Sequence, residues 1–276
     1  MYAIISVFTR RIMPVVIADG AKVAEIIIAD LKKWGPPNKS LWVFLVEGMG
    51  GETEERQKIF LKQKKKLAER LGIDLRICRF FADTVAPERF KAVISETAAL
   101  DSVGGIIIEK PLPDAIAAMA PPNKDIERKR SCPAFLAVEE ILKFYSRSFR
   151  KKQVVIFGKG RTIGQAIFEE LQARRHSLEW AGLTMVSKRD WQKSGVGRTE
   201  IKSADILICG TDQQNLIYSA DIKPGATVID FANNCHFESC KKIAGLITPS
   251  RNGVGPVLIA CLFLNFYITA RLSVSY

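Results

Sequence analysis

The sequence predicts an α/β protein of two parallel-sheet domains, and three observations carry that expectation. From Leu41 onward short β-rich runs alternate with amphipathic helical stretches. A proline-rich, basic break at 112–133 then interrupts the rhythm, and a second alternating series opens at Gln153 with a strand that runs straight into glycines. Alternation of this kind calls for a parallel sheet covered by helices. The 276 residues accommodate two modest domains at about 100 to 200 residues each.

Taken in order, the first series reads as a strand at 42–46, a helix at 54–71, a strand at 75–80, a helix at 87–100 and a strand at 105–108. The segment 112–133 carries prolines at 113, 121, 122 and 133 and a basic run from 124 to 130, so it reads as a loop or interdomain connection. A helix at about 134–147 and the basic group Arg147, Arg150, Lys151 and Lys152 mark a boundary near 148. The second series follows, with strands at 153–157, 183–186, 204–209 and 226–230 and a helix at about 163–174. Residues 254–270 are apolar, but Gly255, Pro256, Asn265 and Thr269 interrupt them and they fall short of the roughly 20 residues that a membrane span needs. A buried terminal helix is expected there. At the other end, the apolar residues 1–8 precede Arg10 and Arg11, the reverse of a secretory signal, and residues 1–12 read as an extension before a natural start at Met13.

Composition excludes several classes. With 47% hydrophobic and 25% charged residues, the chain is neither disordered nor a small disulfide scaffold. Its net charge of +12 favours an anionic partner. Six cysteines without a CxxC pair read as reduced thiols of a cytoplasmic protein. Cys235, His236, Glu238 and Cys240 are metal-capable, yet a zinc site needs a second matched pair, so no metal is expected.

The strongest local signal is the strand at 154–157 followed by Gly158, Gly160 and Gly164 and then a helix. Dinucleotide binding uses such glycines for a tight turn, for close approach of the backbone to a pyrophosphate and for close helix packing, and the helix N-terminus offers free N–H groups to the anion. The spacing is one residue longer than the commonest fingerprint. At the end of the next strand stand Ser187, Lys188 and Arg189, where NAD-preferring proteins usually carry a carboxylate. Basic groups suit a 2′-phosphate, which favours NADP over NAD, although Asp190 is close by and a plain solvated turn is the competing reading. A second glycine cluster at 248–256, with Gly253, Gly255 and Pro256, reads as a helix entry. The run Lys62, Lys64, Lys65 and Lys66 reads as a solvated helix face.

The order of these motifs resembles, over roughly residues 14–270, the bifunctional methylenetetrahydrofolate dehydrogenase/methenyltetrahydrofolate cyclohydrolase family. The family's opening Asp-Gly is similar to Asp19-Gly20. Its Tyr-x-x-x-Lys helix falls on Phe60 and Lys64, its Gln-Leu-Pro-Leu-Pro turn on Glu109, Lys110, Pro111, Leu112 and Pro113, and its Lys-Asp-x-Asp on Lys124, Asp125 and Glu127. The nucleotide loop aligns at Gly158, Gly160 and Gly164, and the family's last glycine-rich signature falls on 248–258, ending in Val257 and Leu258. The resemblance implies an N-terminal α/β catalytic domain at 13–147, a Rossmann-like NAD(P)-binding domain at 148–250, a cleft between them, and a C-terminal helix at 251–276 that packs back on the first domain.

By the same resemblance, Lys64, Glu109 and Glu127 take the catalytic positions. Phe60, Asp125, Pro111, Gly253, Gly255 and Pro256 would meet the substrate. Gly158, Gly160, Arg161, Thr162, Ile163, Gly164, Ser187, Lys188, Arg189 and Thr211 would meet the cofactor. Of the cyclohydrolase residues only Lys64 keeps its type. Phe60 can stack on a pterin but lacks the phenol hydroxyl. Glu109 in place of glutamine matters more, because a carboxylate beside Lys64 favours the ammonium form, whereas a general base needs the neutral amine. Glu127 reaches one methylene further than the family's aspartate, and Asp125 could substitute for it. The family's loop of roughly 20 residues before its Cys-Thr-Pro turn is nearly absent, so part of the folate or cofactor wall is expected to be missing.

Hydride transfer depends chiefly on position and electrostatics. The expectation is therefore NADP-dependent oxidation of 5,10-methylenetetrahydrofolate to the methenyl form, with a weakened cyclohydrolase step. The partners expected are tetrahydrofolate derivatives, polyglutamylated forms included, in a cytoplasmic homodimer without membrane or nucleic-acid ligands. A catalytically silent folate- or nucleotide-binding paralogue and an enzyme for another one-carbon pterin carrier stay open at this point.

Overall fold

The computed structural model describes residues 14–113, 116, 123–128, 130–193 and 195–272. The proposed extension at 1–12 lies outside them. The chain forms two compact units: one contains residues up to Asp19 and Arg147–Val254, the other Gly20–Ser146 and Gly255 onward.

The chain begins with strand β1 (Val16–Ile17), helix α1 (Gly20–Trp34) and strand β2 (Ser40–Glu47). Helix α1 buries Val23, Ala24, Ile27, Ile28 and Leu31, a stripe at helical spacing, and ends with Lys32 and Lys33, where positive charge suits the helix dipole. Helix α2 (Gly51–Leu71) stops at Gly72, whose left-handed φ of 68° lets its N–H close the last turn on the carbonyls of Ala68 and Glu69. Strand β3 (Leu75–Phe81), helix α3 (Pro87–Ala99) and strand β4 (Val103–Ile108) follow. Strands β3, β2 and β4 lie parallel in that order. Phe44, Phe90, Ile94, Ile106 and Ile108 form the core beneath them. All six residues of β4 are buried, as expected for a strand covered on both faces.

The segment 112–133 is not wholly a loop. Asp125 bridges to Ile106 in parallel, and the chain around it exchanges backbone hydrogen bonds with β4, from Ile106 to the Lys124 carbonyl and from Ile126 to the Ile106 carbonyl. Helix α4 (Pro133–Phe144) then opens on a proline at its first turn.

The other unit holds β5 (Gln153–Phe157), α5 (Gly164–Ala173), the single turn α6 (Arg175–Leu178) and β6 (Gly182–Val186). It continues with α7 (Lys188–Lys193), α8 (Gly195–Ser203), β7 (Ile206–Cys209), β8 (Thr227–Asp230), the short α9 (Phe237–Cys240) and β9 (Leu246–Ile247). Its sheet has the order β1-β9-β8-β7-β5-β6, every pair parallel. Val155, Phe157, Trp191, Leu207, Val228 and Ile247 are among its core residues. Residues 14–19, assigned from the sequence to the first domain, thus belong to this sheet: Val16 pairs with Leu246 and Ile17 with Ile247.

Helix α10 (Val254–Leu272) closes the chain. Gly255 and Pro256, which read as interruptions, lie in its first turn, where proline loses no intrahelical bond. At 19 residues and a mean hydropathy of 1.6, the helix is long and apolar enough to cross a membrane, but much of it is buried within the protein. Gly104 and Gly105 admit it closely: a Cβ at Gly104 would stand 2.7 Å from the Ala270 Cβ, and one at Gly105 would stand 2.9 Å from the Phe266 ring. Asn265 donates from the helix to the carbonyls of Ile126 and Ser131.

Candidate active site

Along α2 the buried positions Gln57, Leu61, Lys64, Leu67, Ala68 and Leu71 recur at helical spacing, so Lys64 occupies a stripe that, apart from Gln57, apolar side chains fill. Lys62, Lys65 and Lys66 are exposed, as the solvated reading required. Lys64 departs from it at only 5% exposure. Its ammonium forms a direct ion pair with the Glu109 carboxylate, which is 8% exposed. Glu109 follows immediately on β4 and donates its own N–H to the Phe44 carbonyl, which fixes the backbone at the C-terminal edge of the sheet.

Glu127 reaches the same place by register. Because Asp125 bridges Ile106 in parallel, Glu127 runs alongside the end of β4. Burial pushes its carboxyl up to about 7; the Lys64 charge opposes this, and the Glu109 and Asp125 carboxylates add to it. Asp125 is 1% exposed and also raised, chiefly by burial. Its Oδ1 accepts the N–H groups of Glu127 at 2.8 Å and Arg128 at 3.1 Å, and Oδ2 stands 3.8 Å from Arg128 Nε. Asp125 therefore builds the turn that presents Glu127. Phe60 is half-buried on the same helix as Lys64, one turn away, and Pro111 is half-buried just after Glu109. The structure thus brings Lys64, Glu109 and Glu127 into one electrostatic cluster.

The glycine loop of the other unit has a different logic at each position. Gly158 holds a φ of 118°, and a Cβ there would lie 2.6 Å from the Gly210 carbonyl oxygen. A Cβ at Gly164 would stand 1.8 Å from the Gly158 oxygen, so only glycine lets α5 cross this close to the strand end. Gly160 has nothing within 4 Å of a hypothetical Cβ. It lies exposed with Arg161 and Thr162 beside the first turn of α5, and its carbonyl accepts the Gln165 N–H at 3.0 Å. Open space beside a helix N-terminus fits a dinucleotide phosphate. Ile163 packs below, against Gly210.

After β6, Ser187 and Asp190 form a reciprocal cap for α7. Ser187 N–H and Oγ donate to Asp190 Oδ2 at 2.9 and 2.6 Å, and Asp190 N–H donates to Ser187 Oγ at 3.1 Å. These bonds, with Lys159 at 3.5 Å, hold the Asp190 carboxyl below the usual range. Asp190 Oδ2 thereby serves the helix cap, while the side chain stays 48% exposed. Lys188 lies 3.4 Å from Asp212, while Arg189 is exposed at the start of the helix.

Sequence reasoning missed the residues that shape the loops beyond β7 and β8. Asn234, fully buried, accepts the Thr211 N–H at 2.9 Å and donates to Thr211 Oγ1 at 2.7 Å and to the Gln213 carbonyl. Asp230 accepts the N–H groups of Ala232, Asn234 and Cys235. The signal available was the acid and paired amides directly after a buried strand, where such side chains order turns. Together these loops line a cavity of about 240 Å³ that includes Asn215, Asp230, Asn233, Cys235 and Thr248. Gly253 is required by its own turn, since a Cβ there would meet the Pro249 oxygen at 2.0 Å; Gly255 and Pro256 lie in the first turn of α10. Among the described residues, no group of three or more metal-ligating side chains is poised to hold an ion.

The chain is similar to proteins of known family. Residues 131–274 match the family model described as the tetrahydrofolate dehydrogenase/cyclohydrolase NAD(P)-binding domain. The bifunctional protein FolD of Lactiplantibacillus plantarum is 30% identical over 235 residues, 74% of this chain and 79% of that protein. Two solved structures share the fold. The 5,10-methylenetetrahydrofolate dehydrogenase of Bombyx mori has a TM-score of 0.81 at 23% identity, with 95% of this chain and all of that one covered. The methylenetetrahydrofolate dehydrogenase-cyclohydrolase of Trypanosoma brucei, solved with NADP and an inhibitor, has 0.81 at 22%, covering 96% and 100%. With more than half its length matched by the domain family and the fold shared throughout, the chain belongs to the tetrahydrofolate dehydrogenase/cyclohydrolase family.

Proposed function

We propose that the protein is an NADP-dependent methylenetetrahydrofolate dehydrogenase whose cyclohydrolase step is weak. The observation that carries this reading is the buried Lys64–Glu109 ion pair in a chain of this family. The two half-reactions make different demands. Oxidation of 5,10-methylenetetrahydrofolate moves one hydride from the one-carbon bridge and leaves the methenyl cation. NADP supplies the hydride acceptor when bound. The protein has only to hold substrate and cofactor in register. Phe60 offers a ring face to the pterin, and Glu127 presents a carboxyl for its polar edge. The 158–164 loop offers N–H donors to the phosphates, and Arg189 and Lys188 favour a 2′-phosphate where Asp190 Oδ2 already serves the helix cap.

Cyclohydrolysis adds water to the methenyl carbon and opens the bridge to the 10-formyl product, releasing a proton that a base must take. Lys64, paired with Glu109, is poorly placed to take it. The methenyl product is therefore expected to accumulate. An assay of the purified protein with 5,10-methylenetetrahydrofolate and NADP or NAD, following reduced cofactor and methenyl product separately, tests this. Both signals should rise together, faster with NADP. No reduced cofactor with either nucleotide would leave a silent folate- or nucleotide-binding paralogue, or an enzyme for another pterin carrier, as the reading.

The six free cysteines support a reducing cytoplasm. The net charge of +12 suits polyanions such as NADP and polyglutamylated folates, and the reading invokes neither membrane nor nucleic acid. The family resemblance suggests a homodimer.

A further inference from the structure

Gln57 lies in the second turn of α2, 3% exposed, and its side-chain Nε2 has no hydrogen-bond partner. Nothing in the sequence pattern or the family motif gives it a role. A buried carboxamide with two unmet donors is costly, and stable proteins rarely keep one without a use. Its place suggests the use. On the α2 stripe, Gln57 and Lys64 are the polar members, two turns apart on one face, with Phe60 between them. In a parallel α/β layer, the early turns of a helix stand at the C-terminal edge of the sheet, which is where ligands bind. That edge is the one where Glu109 and Glu127 meet Lys64.

We propose that Gln57 is a substrate-binding residue whose carboxamide N–H donates to an acceptor atom of the bound pterin ring. The inference rests on the folate reading above. Substrate supplies the acceptor that the protein lacks, so the donor is unpaired only in the free protein. A contact of this kind is made equally in the ground state and the transition state, and its loss therefore raises KM and spares kcat.

The test uses the full-length protein and two variants. Gln57→Met keeps the length of the side chain and removes both donors; Gln57→Asn keeps the donors but withdraws them by one methylene. Thermal midpoint, NADP affinity, tetrahydrofolate affinity and the KM for 5,10-methylenetetrahydrofolate are measured for each. For Gln57→Met, the free protein should melt at or above the wild-type temperature, since an unsatisfied donor has been removed. NADP affinity should hold, KM should rise about tenfold and kcat should stay within about twofold. Gln57→Asn should fall between Met and wild type in folate affinity. A Met variant that melts lower, or that binds tetrahydrofolate as tightly as wild type, overturns the inference alone and points to a buried water on the amide. A wild-type protein that binds no tetrahydrofolate overturns the folate reading and this inference with it.

Discussion

At Glu109, a carboxylate is ion-paired with the buried Lys64 ammonium, at the position where the resemblance implies a glutamine. Glu109→Gln is expected to release Lys64 and raise methenyl hydrolysis about tenfold with dehydrogenation little changed, read from the decay of the methenyl product. The same substitution leaves a buried ammonium without its counter-ion, so urea unfolding should show a loss of up to about 3 kcal/mol. Glu127 behaves differently. Its carboxyl titrates at about 7 in the folded protein against 4.5 for an ordinary glutamate, so the fold favours its protonated form. Its destabilising effect is absent below pH of about 4.5 and grows as pH rises toward 7, where the folded state must accept a charge it resists. Glu127→Gln mimics the neutral form. The variant should gain on wild type from pH 5 to 8, by up to about 3 kcal/mol in urea midpoints taken across that range. These residues were legible as types and positions, because the family spacing places Lys64, Glu109 and Glu127. The carboxylate beside Lys64 was expected too, but the burial of the pair was not. Nothing in a row of four lysines says which one turns inward until the helix is wound and its buried stripe passes through Lys64 alone.

Elements with strong periodicity and clear ends were the most legible. Strands β2 to β8 and helices α2 to α5 fall within a few residues of expectation, because continuous apolar runs, prolines at first turns and the glycine at 72 mark them, whereas the two-residue strands β1 and β9 were not anticipated. Helix α1 was overlooked. Its Ile26, Ile27 and Ile28 form a β-branched run that hides the stripe, and only the fold shows Ile27 and Ile28 buried with Ile26 50% exposed. Helices α7 and α8 were missed because Lys188, Arg189 and Asp190 read as a charged turn, when Ser187 and Asp190 in fact cap a helix. Within the 158–164 loop, space separates two kinds of glycine. Gly164→Ala is expected to cost several kcal/mol and to abolish NADP binding, because the backbone of Gly158 has nowhere to move. Gly160→Ala should melt within about a degree of wild type, since its site is open, yet weaken NADP binding about tenfold. Paired melting and cofactor titration of the two variants check this. Equal melting losses would mean that Gly160 serves the loop and not a ligand.

Across the whole molecule, neither unit is a continuous stretch of sequence. The sheet with the glycine loop takes β1 from the first twenty residues, and the unit with Lys64 takes α10 from the last. Sequence patterning located the boundary near 148 but could not see β1 leave the first domain, since a two-residue strand carries no period. A chain ending at Gly253 is expected to lose fixed tertiary structure around Lys64, because Gly104 and Gly105 would face solvent and the carbonyls of Ile126 and Ser131 would lose Asn265. Near-ultraviolet circular dichroism of that truncation should show it, with the α2 helix retained in the far ultraviolet. The same threading governs the order of birth. Most of the Lys64 unit leaves the ribosome early, yet its own core cannot close until Phe266 and Ala270 have been added. During synthesis, the unit that holds Lys64 is thus begun before residues 147–254 and completed after them. Until α10 emerges, the apolar surface that it will cover depends on chaperones or on speed for its protection.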